Sequence, residues 1–264
     1  MSKNLKNQFK KLQNLKGGNN WREVRSIQNN FELLEKEYYH LGNKKIFYPI
    51  KRQKNVNLQS SRGVGIYEDD SLVSMLEKVE SQMIVDTNDH IQIAEYKKCA
   101  DALKKAGTPL KKSGFCELGF RIPKLLQFYK KQGFKKVVGY DINSFNVEVG
   151  KHLGYDCRTL DLNEDENINL SGYSFVACYH VLEHLSDPYN TLKKIVDSLD
   201  TLAILQVEVP IEGEIANLDI GHLFPFRDND LLKMLETLPV EIVNTCKNMF
   251  FEDKIERYLC IKVK

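Results

Sequence analysis

An α/β fold built on a mostly parallel, doubly wound sheet is what this sequence predicts, and three observations predict it. From Phe115 onward, short apolar runs alternate with segments of helical period, the mark of strand–helix–strand units. Three of those runs end on an acid at a turn: Glu117 in Phe-Cys-Glu-Leu-Gly, Asp141 in Val-Val-Gly-Tyr-Asp-Ile, and Asp161 in Arg-Thr-Leu-Asp-Leu. They stand 24 and 20 residues apart, about one strand–helix unit each. In a doubly wound sheet such positions gather along the carboxyl edge of the strands, where ligands bind. The last two apolar runs, Val240–Cys246 and Arg257–Val263, are joined by a polar and aromatic connection and read as a terminal antiparallel pair. The pattern points to an enzyme or binding protein for a nucleoside-like ligand.

Each element can be justified in order. Residues 1–19 are polar, rich in Lys and Asn, and expected to be loose. A helix is expected from Asn20, an N-cap with Glu23 completing a capping box. Its apolar stripe is Trp21, Val24, Ile27, Phe31, Leu34 and Tyr38, and Gly42 ends it. Asn43–Arg62 reads as a basic loop. A second helix follows Asp70 with Leu72, Leu76, Val79 and Met83 on one face, and a third spans Asp89–Ala106, stopped by Gly107 and Pro109.

The alternation then begins. Strand Phe115–Leu118 leads to a helix over Pro123–Gln132 with Gly133 just past its end. Strand Lys136–Tyr140 leads to a helix over Ser144–Leu153. Strand Asp156–Leu160 is followed by the acidic connection Asn163–Asn167. Strand Tyr173–Cys178 leads to a helix capped by Asp187-Pro188, its core face made by Leu192, Ile195, Val196 and Leu199. Strand Leu202–Val209 and the helix Asn229–Leu238 precede the terminal pair. The sum is a Rossmann-like, mostly parallel seven-stranded sheet with a C-terminal antiparallel hairpin, preceded by an N-terminal helical extension. Residues 1–88 form the basic arm and extension, and residues 89–264 the α/β domain.

Composition narrows the function classes. A content of 42% hydrophobic and 28% charged residues is that of an ordinary soluble globular protein. No apolar run approaches the roughly 18 residues a membrane span needs, and the basic start lacks the apolar stretch of a secretory signal, so cytoplasm is expected. The six cysteines (Cys99, Cys116, Cys157, Cys178, Cys246, Cys260) form no Cys-x-x-Cys pair, and most sit in strand-like runs as small apolar residues. The net charge of +2 hides an asymmetry: residues 1–62 carry 14 Lys/Arg against 4 Asp/Glu, and the remainder is net acidic. A basic leading segment suits an anionic partner such as RNA, or docks on the acidic core.

The order of motifs over roughly residues 90–264 resembles the class I S-adenosylmethionine-dependent methyltransferases, of the type 11 or type 23 methyltransferase domain. The resemblance rests on Cys-Glu-Leu-Gly at 116–119, Gly-Tyr-Asp-Ile at 139–142, Leu-Asp-Leu at 160–162, and Tyr-His-Val-Leu-Glu-His-Leu-Ser-Asp-Pro at 179–188. Gly-His-Leu-Phe-Pro-Phe at 221–226 fits the segment after the fifth strand. The resemblance implies that Glu117 and Gly119 line the methionine and ribose part of the cofactor. It implies that Asp141, followed by Ile142, accepts both ribose hydroxyls, a carboxylate with two oxygens matching a vicinal diol. Asp161 and Leu162 are implied to flank the adenine, with Tyr179 and His180 beneath the sulfonium. The family's Gly-x-Gly-x-Gly turn reads Gly119-Phe120-Arg121-Ile122-Pro123 here, so only the first glycine stays. Arg121 is expected to pair with the cofactor's carboxylate.

His180-x-x-Glu183-His184 also matches the His-x-x-Glu-His pattern of one zinc-peptidase class. That chemistry needs a long helix, whereas a strand runs directly into the motif here. No metal is assigned. Were a divalent ion held, the resemblance implies His180, Glu183, His184 and His222 as its ligands. The expected function is methylation of a small-molecule or sugar hydroxyl, with His184, His222 and His180 as the catalytic residues. The alternatives are an RNA methyltransferase using the basic segment, and a degenerate cofactor-binding scaffold or regulatory protein.

Overall fold

Residues along a strand alternate between two faces, and that alternation decides how this chain is layered. The computed structural model describes residues 31–41, 44–53, 90–143, 146–147, 150–151, 153–165, 167–185, 187–211, 224, 226–250 and 253–263. Strands β1 (Phe31–Leu41) and β2 (Lys44–Gln53) pair antiparallel as a separate two-stranded sheet. Helix α1 (His90–Lys105) follows, then β3 (Gly114–Leu118), α2 (Lys124–Lys131), β4 (Lys136–Asp141) and β5 (Asp156–Thr159). Next come β6 (Phe175–Tyr179), a single 3₁₀ turn (Leu182–His184), α3 (Pro188–Asp197), β7 (Ile204–Ile211) and α4 (Asp230–Leu235). Strands β8 (Val240–Phe250) and β9 (Asp253–Lys262) close the chain.

The main sheet has seven strands in the order β5-β4-β3-β6-β7-β9-β8. Pairings among β3, β4, β5, β6 and β7 are parallel, and β9 is antiparallel to both β7 and β8. The chain lays β4 and β5 to one side of β3, then returns to lay β6 and β7 on the other. The order therefore reverses between β3 and β6, and the crevice at their carboxyl ends is the topological switch point.

Pleat parity sorts the core. Phe115, Phe175, Ala177, Ile204 and Leu259 face α1 and α2, where Leu103, Leu126 and Tyr129 meet them. Their neighbours Cys116, Val176, Cys178, Leu205 and Cys260 face α3 and α4, meeting Leu192, Ile195, Leu231 and Met234. At the middle of the first face the Phe115 ring stacks on Tyr129 with centroids 3.8 Å apart, while Phe134 and Phe175 meet it edge-on. Such aromatic pairs add about 0.5–1.5 kcal/mol each beyond the area they bury. By the same parity Glu117 and Asp141 point to this aromatic side, so the two acids share one face.

Local signals explain the helix ends. Asp187 caps α3 by accepting from the Asn190 N–H at 3.1 Å, with Pro188 at the first position. Gly133, at φ +87°, ends α2 as its N–H donates back to Lys130 and the Phe134 N–H to Tyr129.

The N-terminal extension corrects an expectation. Residues 31–41, expected as the second half of a helix, form β1, and 44–53, expected as part of a loop, form β2. Leu41 pairs with Lys44, and the two residues between them in sequence are Gly42-Asn43, a pair suited to a tight hairpin connection. The flanking Tyr38-Tyr39 and Ile46-Phe47-Tyr48 favour strand, and cross-strand pairing outweighs the helical spacing of Phe31, Leu34 and Tyr38. The expected helix after Asp70 and the capping box at Asn20 lie outside the described residues. The third helix stands where expected, as α1.

Candidate active site

The turn after β3 decides whether a glycine-poor sequence can still make a nucleoside-binding crevice. Gly119 has φ +72°, and a Cβ built there would sit 2.4 Å from Val181 Cγ2, so only glycine fits. Arg121 replaces the next glycine of the family pattern yet keeps a left-handed backbone, φ +44°. An L-residue there carries strain of about 1–2 kcal/mol. The turn is stitched to the end of β4. The Gly119 and Phe120 N–H groups donate to the Tyr140 carbonyl at 2.7 and 3.3 Å, and the Arg121 N–H donates to Asp141 Oδ2 at 2.9 Å. These N–H groups, which would cradle a diphosphate in a dinucleotide fold, are directed at β4 instead. The backbone of a Gly-x-Gly turn is thus present although one of its glycines is absent.

Beneath this turn lie two carboxylates. Asp141 is 7% exposed and accepts from Arg121 N and, at 2.8 Å, from Asn143 N. Burial raises its carboxyl above the ordinary value, opposed by those backbone bonds and by the Asn146 side chain. Glu117 is 6% exposed, and its Oε2 has no hydrogen-bond partner. Burial first, and then the charge of Asp141, push its carboxyl well above the usual range. An orphaned buried carboxylate is costly. A cationic or hydrogen-bond-donating ligand would relieve it, and the ammonium and ribose of S-adenosylmethionine are such a donor set. The residues present fit that group.

Asp161, just past β5, accepts from the Asn163 N–H at 2.9 Å and is half-buried, as is Ile142. Leu162 is buried within the α3–α4 core, and its carbonyl accepts from Thr191 Oγ1 at 3.3 Å. Tyr179 points to the α1 face, where its hydroxyl donates to Gln206 and the Arg257 guanidinium lies 5.4 Å from its ring centre. Leu162 and Tyr179 therefore pack on opposite faces of the sheet.

Across the switch point, at the end of β6, a second non-glycine residue has left-handed backbone: His180, φ +52°. Its N–H donates to the Glu208 carbonyl at 3.1 Å. Its Nε2 lies 2.9 Å from Glu208 Oε1, and its Nδ1 lies 3.4 Å from Glu183 Oε1. The longer contact is an ion pair rather than a formed hydrogen bond, and both Glu183 oxygens are buried without a hydrogen-bond partner. Burial pulls the imidazole down, but the two carboxylates outweigh it and hold its pKa at about 10. Glu208 in turn receives Arg257 Nε, and Arg257 Nη1 lies 3.4 Å from Glu95 of α1. Burial raises the Glu208 carboxyl, but His180 and Arg257 reverse this and leave it lowered.

His184 is exposed on the 3₁₀ turn. His222 lies outside the described residues, although Phe224, two positions on, donates its N–H to the Glu183 carbonyl at 3.0 Å. Among the described residues no group of three or more His, Cys, Asp or Glu is placed to hold a metal ion. The zinc-peptidase pattern lacks its helix, since His180 ends a strand and Glu183-His184 occupy a single 3₁₀ turn. Glu208, Arg257, Gln206 and Asn146 were not singled out from sequence. Gln206 and Glu208 do interrupt the apolar run Ile204–Val209 at a spacing of two, which marks one face of the strand.

A doubly wound sheet with an antiparallel final strand pair, a left-handed first turn and acids at the ends of β3 and β4 defines the class I methyltransferase fold. The family model described as a methyltransferase domain matches residues 90–253, and the chain belongs to that family. It is an S-adenosylmethionine-dependent methyltransferase. Among solved structures it is similar to a candidate sarcosine dimethylglycine methyltransferase from Galdieria sulphuraria, at 11% identity and TM-score 0.51, covering 67% of this chain and 90% of that one. It is also similar to magnesium protoporphyrin IX methyltransferase from Synechocystis PCC 6803, at 17% identity and TM-score 0.46, covering 80% and 90%. A third is an S-adenosylmethionine-dependent methyltransferase from Aquifex aeolicus, at 15% identity and TM-score 0.47, covering 71% and 98%. No curated protein matches the sequence. Among the described residues no helix is long and apolar enough to cross a membrane.

Proposed function

We propose that this methyltransferase acts on a hydroxyl of a small molecule or carbohydrate. The observation that supports the reading is the set of buried acceptor groups around the switch point. Glu117 and Asp141 stand on one side, and Glu183 and Glu208 flank His180 on the other. Carboxyl groups so placed accept from hydroxyl and ammonium donors and give a phosphate oxygen no donor, which suits a compact hydroxyl-bearing acceptor. RNA remains the second reading, favoured by the 14 Lys/Arg among residues 1–62.

In this reading Glu117, Gly119, Arg121, Asp141, Ile142 and Asp161 hold the cofactor, with Leu162 and Tyr179 supporting them. When bound, S-adenosylmethionine supplies a methyl group already activated by its sulfonium. The chain then has to align the acceptor, exclude water and take the hydroxyl proton. His180, already protonated between two carboxylates, is a fixed cation that orients Glu183 and Glu208. Proton acceptance falls to His184 or His222. The free thiols, most of them buried, fit a reducing compartment such as the cytoplasm.

Calorimetry with S-adenosylhomocysteine, followed by filter binding to RNA at several salt concentrations, tests the reading. Binding of the former with no salt-steep RNA affinity is expected, and a steep salt slope would move the assignment to RNA. His222→Ala is expected to lower turnover with cofactor affinity nearly unchanged, whereas Asp141→Ala weakens cofactor binding first.

A further inference from the structure

We propose that Asn146 is a second ribose acceptor, its Oδ1 taking one hydroxyl of the cofactor while Asp141 takes the other. The inference rests on the cofactor role of Asp141 proposed above. Asn146 lies in the helical stretch after β4 and is 4% exposed, yet its Oδ1 has no hydrogen-bond partner. A buried side-chain oxygen left in that state requires an explanation. Its amide orientation is not arbitrary. The Asn146 side chain hydrogen-bonds Asp141, and a carboxylate only accepts, so Nδ2 must face Asp141 and Oδ1 must face away from it.

Asp141 has little acceptor capacity to spare. A carboxylate offers about four lone-pair sites. Asp141 already receives Arg121 N at 2.9 Å, Asn143 N at 2.8 Å and the Asn146 amide. A vicinal diol brings two O–H donors to a group with room for about one more. The unused oxygen of Asn146, on the very amide that Asp141 holds in place, is an acceptor of the required kind. Asp141 thus acts both as a ribose ligand and as the group that orients its partner.

The test is calorimetry of S-adenosylhomocysteine and its 2′-deoxy and 3′-deoxy forms against the wild type and Asn146→Leu. The wild type is expected to lose about tenfold in affinity on removal of either hydroxyl. Asn146→Leu should bind the intact ligand about tenfold more weakly and become indifferent to the loss of one hydroxyl while still penalising the loss of the other. A variant that discriminates both deoxy forms as the wild type does overturns the inference. Should the leucine variant not fold, Asn146→Ser, shorter by one bonded group, carries the same comparison. Failure of the wild type to bind S-adenosylhomocysteine at all removes the cofactor reading and this inference together. Normal wild-type binding with unchanged discrimination in the variant removes only the inference.

Discussion

The two sides of the switch point solve one problem by different means. On the β3–β4 side a strained residue, Arg121, is held by its own N–H against Asp141, and the polar side chains there keep unmet acceptors at Glu117 Oε2 and Asn146 Oδ1. On the β6–β7 side a strained residue, His180, is held by its ring between Glu183 and Glu208, with Arg257 and Glu95 extending the chain of charges. The first side is fixed by backbone and remains open to a ligand. The second is fixed by side-chain charge, and both Glu183 oxygens there are also without a hydrogen-bond partner. Strain of this kind collects at functional sites because the surroundings must over-determine it. Backbone tethers are insensitive to side-chain substitution, whereas a side-chain network can be retuned by it.

Four experiments break or sharpen this contrast. Gly119→Ala should have the largest effect, about 2–4 kcal/mol of stability, since the new methyl meets Val181 Cγ2 at 2.4 Å on a backbone that disfavours it. Val181→Ala in the same chain should recover part of that loss in urea denaturation, and no recovery would mean the contact is not the cause. Next, Arg257→Met leaves the buried Glu208 with His180 as its remaining cationic partner and should cost about 3 kcal/mol. Its cofactor affinity should change little if the two sides are separately held.

The third test is pH. His180 has a pKa of about 10 in the folded chain against about 6.5 when unfolded, so its contribution is fully present below about 6.5 and is lost as pH rises toward 10. Urea midpoints should fall across that window, and the Glu208→Gln variant should show a flatter fall. A wild type that gains stability over the same range contradicts the imidazolium assignment. Smallest is Arg121→Gly. Relief of about 1–2 kcal/mol of strain is offset by about 0.5–1 kcal/mol of glycine entropy, leaving a net gain of about 0–1.5 kcal/mol in thermal denaturation.

Much of the frame was legible because its signals are local. Asp187-Pro188 marked a helix start by chemistry alone, and Glu117 and Asp141 stood at strand ends whose parity follows from the pleat. The expected seven strands form one sheet, with the terminal pair antiparallel. The N-terminal hairpin was not legible, since Phe31, Leu34 and Tyr38 satisfy a helical stripe and only pairing with a second strand decides against it. Glu208 and Arg257 were missed for a related reason: they sit within apolar runs more than 40 residues apart, and only the β7–β9 register sets them opposite each other. Asn146 was beyond reach because an unmet oxygen is a property of packing, not of residue order.

The Val181 methyl against Gly119 has one further consequence. It joins the loop that follows β6 to the turn that follows β3 by direct van der Waals contact. Neither loop can shift by much without opening a void or colliding with the other. The two walls of the switch-point crevice are therefore coupled, and a substitution that displaces one should displace the other.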